Sequence, residues 1–391
     1  MDKDYVLSQG EDADIAASVR SCKELGKRIR KKEFKTADEL LETLPPSAMR
    51  NENCVEEIRS TNSDLGWNLY DEHLCRHRFL FVSGMHHSGT SVTNYILQTL
   101  ELISGHRGTG SGQDEGVGLQ KEYPPAIKFG GACNFVHHHE IYLNATHEAA
   151  TPEARRCIMA QWSKYWNLSR PVLLEKSPPT LIQIDYRAYL FPHVSANIIV
   201  VRHPLYMCFV KKNLVDLEKA WVSDNGIRML TRAIEGWLKA HEFVRSAILH
   251  PNRKTALIQY ESYFKSPDAV DHLLELPTIL FPEIIEPYNR KKLKSGMLPR
   301  QLEYRSGKDG GNRDKPKIDP KYLTTWMQTW TNNTKTHEKL YKSRILPVLR
   351  KYESRVNQFG YSLIDVNDIG GQAFASSFKL DKNSIVDNGY R

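Results

Sequence analysis

The chain lacks any run approaching the ~20 consecutive apolar residues that cross a bilayer. Its opening, MDKDYVLSQGEDADIAAS, has neither a basic first segment nor an apolar core, so it does not read as a secretory leader. From these two absences we expect a soluble, cytoplasmic protein without a membrane span. Cysteine is sparse: Cys22, Cys54, Cys75, Cys133, Cys157 and Cys208 are scattered over 391 residues, with no pair at metal-site or thioredoxin spacing. Reduced structural thiols are the expectation, not a disulfide framework. His137 and His139, in FVHHHEIYLNATHE, have no H-E-x-x-H spacing or nearby cysteine to complete a zinc site, so no metal is expected. No internal repeat or low-complexity block is present, which leaves an ordinary globular reading.

A hydrophobic fraction of 40% and a charged fraction of 26% predict a substantial core, enough for one large α/β domain or two smaller ones. A formal net charge of +8 favours an anionic partner, whether nucleic acid, acidic glycan or phosphorylated cofactor. Nearly all of that excess lies in residues 288–317, where ten Lys/Arg face three Asp/Glu, a net of +7. Within it RSGKDGGNR, with Arg305, Lys308 and Arg313, has a composition suited to folding over an anion; a charged linker is the plainer reading. The basic cluster Lys27–Lys32 reads as a solvated helix face. Asn144, Asn167 and Asn332 head N-x-S/T triplets, which a polar chain this long contains by chance.

Residues 1–75 read as a polar, helical N-terminal extension, 76–365 as the main domain and 366–391 as a loose polar tail. RFLFV, PVLLE, NIIVV and TALIQY are short apolar runs without alternation, as strands buried on both faces require. Helical stretches separate them. In the segment 227–249, Ile227, Leu230, Ile234, Leu238 and Ile248 fall largely on one stripe. The alternation predicts an α/β fold with a parallel sheet of four or five strands, its ligands at the carboxyl ends of the strands. A late helix is expected to kink at Pro347 and stop at Gly360.

FVSGMHHSGTS follows the first apolar run directly. Gly84 and Gly89 have the spacing of a phosphate-binding loop and Ser91 supplies the final hydroxyl, but Thr90 stands where such a loop carries lysine. Unpaired N–H groups and a helix dipole would still gather an anion at His86, His87, Ser88, Gly89, Thr90 and Ser91. A triphosphate is disfavoured without the lysine. Glu175 and Lys176, in LLEKSPPTL, end a strand where a general base and a charge stabiliser would sit; an ion-paired loop is the plainer alternative. Arg202 ends IIVVR, placed to grip phosphate oxygens.

Taken in this order, the motifs resemble the sulfotransferase superfamily that uses 3′-phosphoadenosine 5′-phosphosulfate (PAPS), over about Phe79 to Leu363. FVSGMHHSGTS resembles its 5′-phosphosulfate loop, IIVVRHPLYMCFV its 3′-phosphate motif, and LLEKSPP the Glu-Lys-Ser/Thr segment of the glycan-modifying branch. DEGVGLQKEYPP and QWSKYWNLSRPVLLEKSPP are similar to segments of a bacterial and protist subgroup. The resemblance implies sulfuryl transfer to a hydroxyl, or less readily an amine, with release of 3′,5′-ADP and no metal. It assigns Ser88, Gly89, Thr90 and Ser91 to the phosphosulfate, Arg202 to the 3′-phosphate and Glu175 to general base. His87 and Lys176 would stabilise charge, and Arg305, Lys308 and Arg313 would cover the cofactor. The acceptor would be a small molecule or glycan, with no nucleic acid partner.

Two positions depart from the family pattern. His87 stands where a Lys or Arg is usual, so a charge half-titrated near pKa ~6.5 is expected and the rate should fall as pH rises. Val210 stands where a serine usually shares the 3′-phosphate, with Cys208, Lys211 and Lys212 nearby. An NTP-dependent kinase on the same fold and a non-catalytic module for anionic glycans are the alternatives.

Overall fold

The computed structural model describes residues 35–62, 66–131, 134–209, 223–248, 253–261, 268–284 and 338–365. The expectations for the 1–34 segment, for Val210, Lys211 and Lys212, for Arg305, Lys308 and Arg313, for Asn332 and for the 366–391 tail lie outside those residues.

Five parallel strands form one sheet in the order β2-β3-β1-β4-β5. They are β1 (Arg78–Gly84), β2 (Ile103–Gly105), β3 (Val172–Lys176), β4 (Ser195–Val201) and β5 (Thr255–Gln259). The four apolar runs are strands, as their unalternating pattern requires. β2 was not legible: three residues, two of them Ser and Gly, carry no apolar run. β1 is central, with Phe81 opposite Glu175 of β3 and Asn197 of β4.

The pleat sends alternate residues to opposite faces. Leu80, Val82, Val172, Leu174, Ile198 and Val200 meet α4 (Thr90–Leu97) and α9 (Asp268–Leu280) on one face. The other face carries two clusters. Phe79, Phe81 and Leu173 pack with α1 (Ala37–Glu42), α2 (Glu52–Thr61), α3 (Leu69–Arg76) and α5 (Pro152–Ser163). Ile199 and Val201 pack with α8 (Asp224–Ile248) and α10 (Leu346–Asn357). The three layers make an α/β fold with helices on both faces of an all-parallel sheet. Short α6 (Ile184–Leu190) and α7 (Pro204–Phe209) flank β4.

Residues of α1, α2 and α3 share the cluster of Phe79, Phe81 and Trp162, so these three helices are packed into the core. Asn68 caps α3 through bonds from the Tyr70 and Asp71 amides, and Asp71 pairs with buried Arg156 of α5 at 2.5 Å. Cys54 of α2 and Cys75 of α3 form a disulfide with Cα atoms 5.6 Å apart. This corrects the expectation of reduced thiols: a separation of 21 residues hid two helices that lie side by side.

In α8 Leu230, Ile234 and Leu238 are fully buried, as the stripe predicts. The late helix reaches α10 through a π-turn at Tyr341–Ile345, just before Pro347, whose missing N–H suits a first-turn position. Gly360 adopts φ 77, the left-handed conformation that stops a helix.

Candidate functional site

β1 leaves the sheet at Gly84 and enters α4 through Met85–Gly89. A Cβ at Gly84 would overlap the Val200 carbonyl and Ser88 Oγ. Gly89, the N-cap of α4, sits at φ 104, and a Cβ there would run into the Tyr260 ring. His87 also takes a left-handed conformation, φ 69, which a non-glycine residue adopts only when its surroundings hold it there. The first-turn amides of α4 have no partner within the helix and meet this loop. Ser88 Oγ is buried with no partner among the described residues, Thr90 is buried, and Ser91 Oγ donates to Gln113 Oε1 at 2.8 Å.

Arg202 lies one residue beyond β4. Its Nη1 donates to the His87 carbonyl at 2.6 Å, and its guanidinium stands 4.0 Å from the centre of the Tyr260 ring, just beyond β5. Trp237 of α8 donates to the Arg202 carbonyl at 2.9 Å. The carboxyl ends of β1, β4 and β5 are thus fastened to one another. β1 hands the chain to a helix on one face and β4 to helices on the other, the place where open parallel sheets bind ligands.

The charge of His87 differs from the expectation. Burial, helped by Arg202, holds it below the ordinary histidine range. The ring is therefore less readily protonated than an ordinary histidine. His86 is pushed down to about 3 by burial, with His87 and Lys176 adding, and its ring meets Phe135 edge-on at 5.4 Å.

Glu175 and Lys176 are adjacent in sequence but lie on opposite sides of the β3 pleat. Both are buried, at 0% and 2% exposure, and they are not each other's partners. Glu175 Oε1 accepts from the Gly116 amide at 3.0 Å and from the Ser177 hydroxyl, which itself accepts from the Val117 amide at 3.0 Å. Oε2 has no partner among the described residues. Burial pushes this carboxyl up to about 7, against the pull of the Ser177 bond and of Arg187 and Lys176. Lys176 Nζ pairs with Glu115 Oε1 at 3.0 Å. Residues 115–117 therefore bridge both faces of the strand end.

Arg187 supports this arrangement from below. It donates to Ser83 Oγ at 3.0 Å and the Thr180 carbonyl at 2.8 Å, and burial lowers it to about 10. His137 bonds the Arg232 carbonyl at 3.0 Å. Among the described residues no group of three His, Cys, Asp or Glu is placed to hold a metal, and no helix is long and apolar enough to cross a membrane.

No protein-family model matches the chain, and no curated protein does. Among solved structures it is similar to the sulfotransferase STF1 from Mycobacterium tuberculosis H37Rv, at 12% identity and a TM-score of 0.33. That match covers 72% of this chain and 93% of that one. It is also similar to the sulfotransferase STF9 from Mycobacterium avium, at 13% identity and a TM-score of 0.32, covering 70% and 84% of the two chains.

The residues that sequence reasoning missed are Glu115, Gly116, Ser177, Arg187, Tyr260 and His106. Tyr260 was within reach, as the residue ending an apolar run at the carboxyl edge. His106 follows β2, buried, with neither ring nitrogen partnered among the described residues, and stacked on Trp166 at 4.7 Å. It had no signal, because β2 itself had none.

Proposed function

We propose that this protein is a sulfotransferase that moves the sulfuryl group of PAPS to an acceptor hydroxyl on a small molecule or glycan. One observation carries the reading: an anion cradle without lysine stands at the same sheet edge as a buried carboxylate held near pKa 7 with one oxygen free. A donor with no γ-phosphate suits that cradle. The residues fit such a group, because Ser88 Oγ is buried and unpartnered and Gly84 and Gly89 admit no side chain.

When bound, PAPS supplies the sulfuryl group. Ser88, Gly89, Thr90 and Ser91 would hold its 5′-phosphosulfate by amide and hydroxyl donors, and Arg202 its 3′-phosphate. The tether from Arg202 to the His87 carbonyl would couple those two ends. Glu175 acts as general base through Oε2, since the Gly116 amide and Ser177 hydroxyl occupy Oε1. A carboxylate poised near neutral pH has both the population and the basicity that proton removal needs. Neutral His87 donates an N–H to charge building on the bridging oxygen, and Lys176 adds its ammonium from the α4 face.

The test is direct. 3′,5′-ADP should raise the melting temperature, and PAPS with a suitable acceptor should release 3′,5′-ADP. Tight ATP binding with no response to 3′,5′-ADP would instead support a kinase.

A further inference from the structure

We infer that Asn144 and Asn167 are N-glycosylation sites and that the chain matures in an oxidising lumen. The sequence offered the triplets only as chance matches. Two independent features of the structure change their weight.

The first is the setting of the two asparagines. Both are exposed, as are Thr146 and Ser169 two residues on. Asn144 Oδ1 accepts from the Thr146 amide and hydroxyl, each at 2.9 Å. Asn167 Oδ1 accepts from the Ser169 amide at 3.1 Å and hydroxyl at 2.7 Å. In both, the carbonyl side of the amide is turned onto its own loop, and Nδ2 donates to no acceptor among the described residues. The nitrogen that would be modified is presented to solvent at two separate loops, in the same local fold.

The second is the Cys54–Cys75 disulfide, with both cysteines fully buried between α2 and α3. Buried cysteines remain paired in compartments that lack a strong thiol pool, the same compartments in which asparagine triplets are modified. Neither feature depends on which reaction the site performs. Together they replace the expectation of a cytoplasmic protein.

The modification balances simply. Asn Nδ2 forms a bond to the anomeric carbon of an oligosaccharide carried on a lipid diphosphate; the sugar–phosphate bond breaks, the lipid diphosphate leaves, and the amide gives up one proton. Asn167 precedes β3 at its amino end, opposite the crevice edge, so a glycan there leaves the strand ends clear.

The experiment uses the full chain purified from its own cells, with no added leader. It is digested with and without an amidase that releases N-linked glycans and converts the asparagine to aspartate. In oxygen-18 water, peptides carrying Asn144 and Asn167 should each gain the mass of a labelled aspartate, only after the enzyme. Differential alkylation should find Cys54 and Cys75 protected until reduction. An unmodified asparagine peptide at either position overturns the assignment there. Free thiols at Cys54 and Cys75 overturn the oxidising compartment.

Discussion

The loop at residues 84–91 and the carboxylate at Glu175 sit at neighbouring strand ends, yet they are made in different ways. The loop is local: two glycines, a left-handed histidine and the first turn of a helix bring small donors together within eight residues. The carboxylate is assembled at long range, its Oε1 held by the amide of Gly116, 59 positions earlier in the chain. The loop offers mainly partial charges from amides and hydroxyls, and burial disfavours the charged form of His87. The carboxylate region concentrates buried ionisable groups, Glu175, Lys176 and Arg187, each with its own partners. A binding element can be built from backbone alone. A proton acceptor needs a tuned environment, and tuning takes tertiary contacts.

The sharpest way to separate the two is Glu175→Gln. If Glu175 is the general base, as proposed, the substitution should lower kcat by about 10²- to 10⁴-fold. Because no hydrogen bond or ion pair joins the loop to Glu175 among the described residues, the affinity for 3′,5′-ADP, read by calorimetry, should stay within about a factor of two. A parallel loss of nucleotide affinity would show that the regions are one unit.

The same substitution separates them in stability. The carboxyl rises from 4.5 unfolded to about 7 folded, so the folded chain holds this proton more tightly. Its favourable contribution is complete below the unfolded value and is lost as pH climbs through about 7. Gln does not titrate. Urea midpoints should therefore favour Glu175→Gln over the parent by about 2–3 kcal/mol more near pH 8 than near pH 5. A gap that does not change with pH would mean the carboxyl titrates in its ordinary range. No loop substitution should show this dependence.

Gly89→Ala probes the other region. A Cβ at φ 104 is strained and would displace the Tyr260 ring, which also carries Arg202. If the loop holds the nucleotide as proposed, strain of about 1–3 kcal/mol there should weaken 3′,5′-ADP binding by about 5- to 150-fold. The acid limb of the pH–rate profile should not move.

The difference between the regions also decides what could be read in advance. Gly84, Gly89 and the hydroxyls announced the cradle because its geometry is written in consecutive residues. The strands announced themselves because burial on both faces leaves unbroken apolar runs. Glu175 was legible as a strand-end carboxylate, but nothing in LLEKSPP says that Lys176 turns away from it toward Glu115. That follows from the pleat and from where residues 109–118 return to the sheet. The pairing of Cys54 with Cys75 was hidden for the same reason. His87 looked like a cation substitute, and only the packing around it, with Arg202 close by, shows that its charged form is disfavoured.

Ser177→Ala makes the smallest change and isolates the long-range region best. Ser177 donates to Glu175 Oε1 and accepts from the Val117 amide, so it is the joint between strand end and covering segment. Its hydrogen bond favours the ionised carboxylate and lowers the pKa against burial. Without it the carboxyl rises further, and the acid limb of kcat/KM should shift to higher pH while the alkaline plateau is largely kept. The lost pair of bonds costs about 1–3 kcal/mol of stability. An unmoved limb would mean that the observed titration belongs to another group. A shift to lower pH would mean that the hydroxyl had been stabilising the protonated acid.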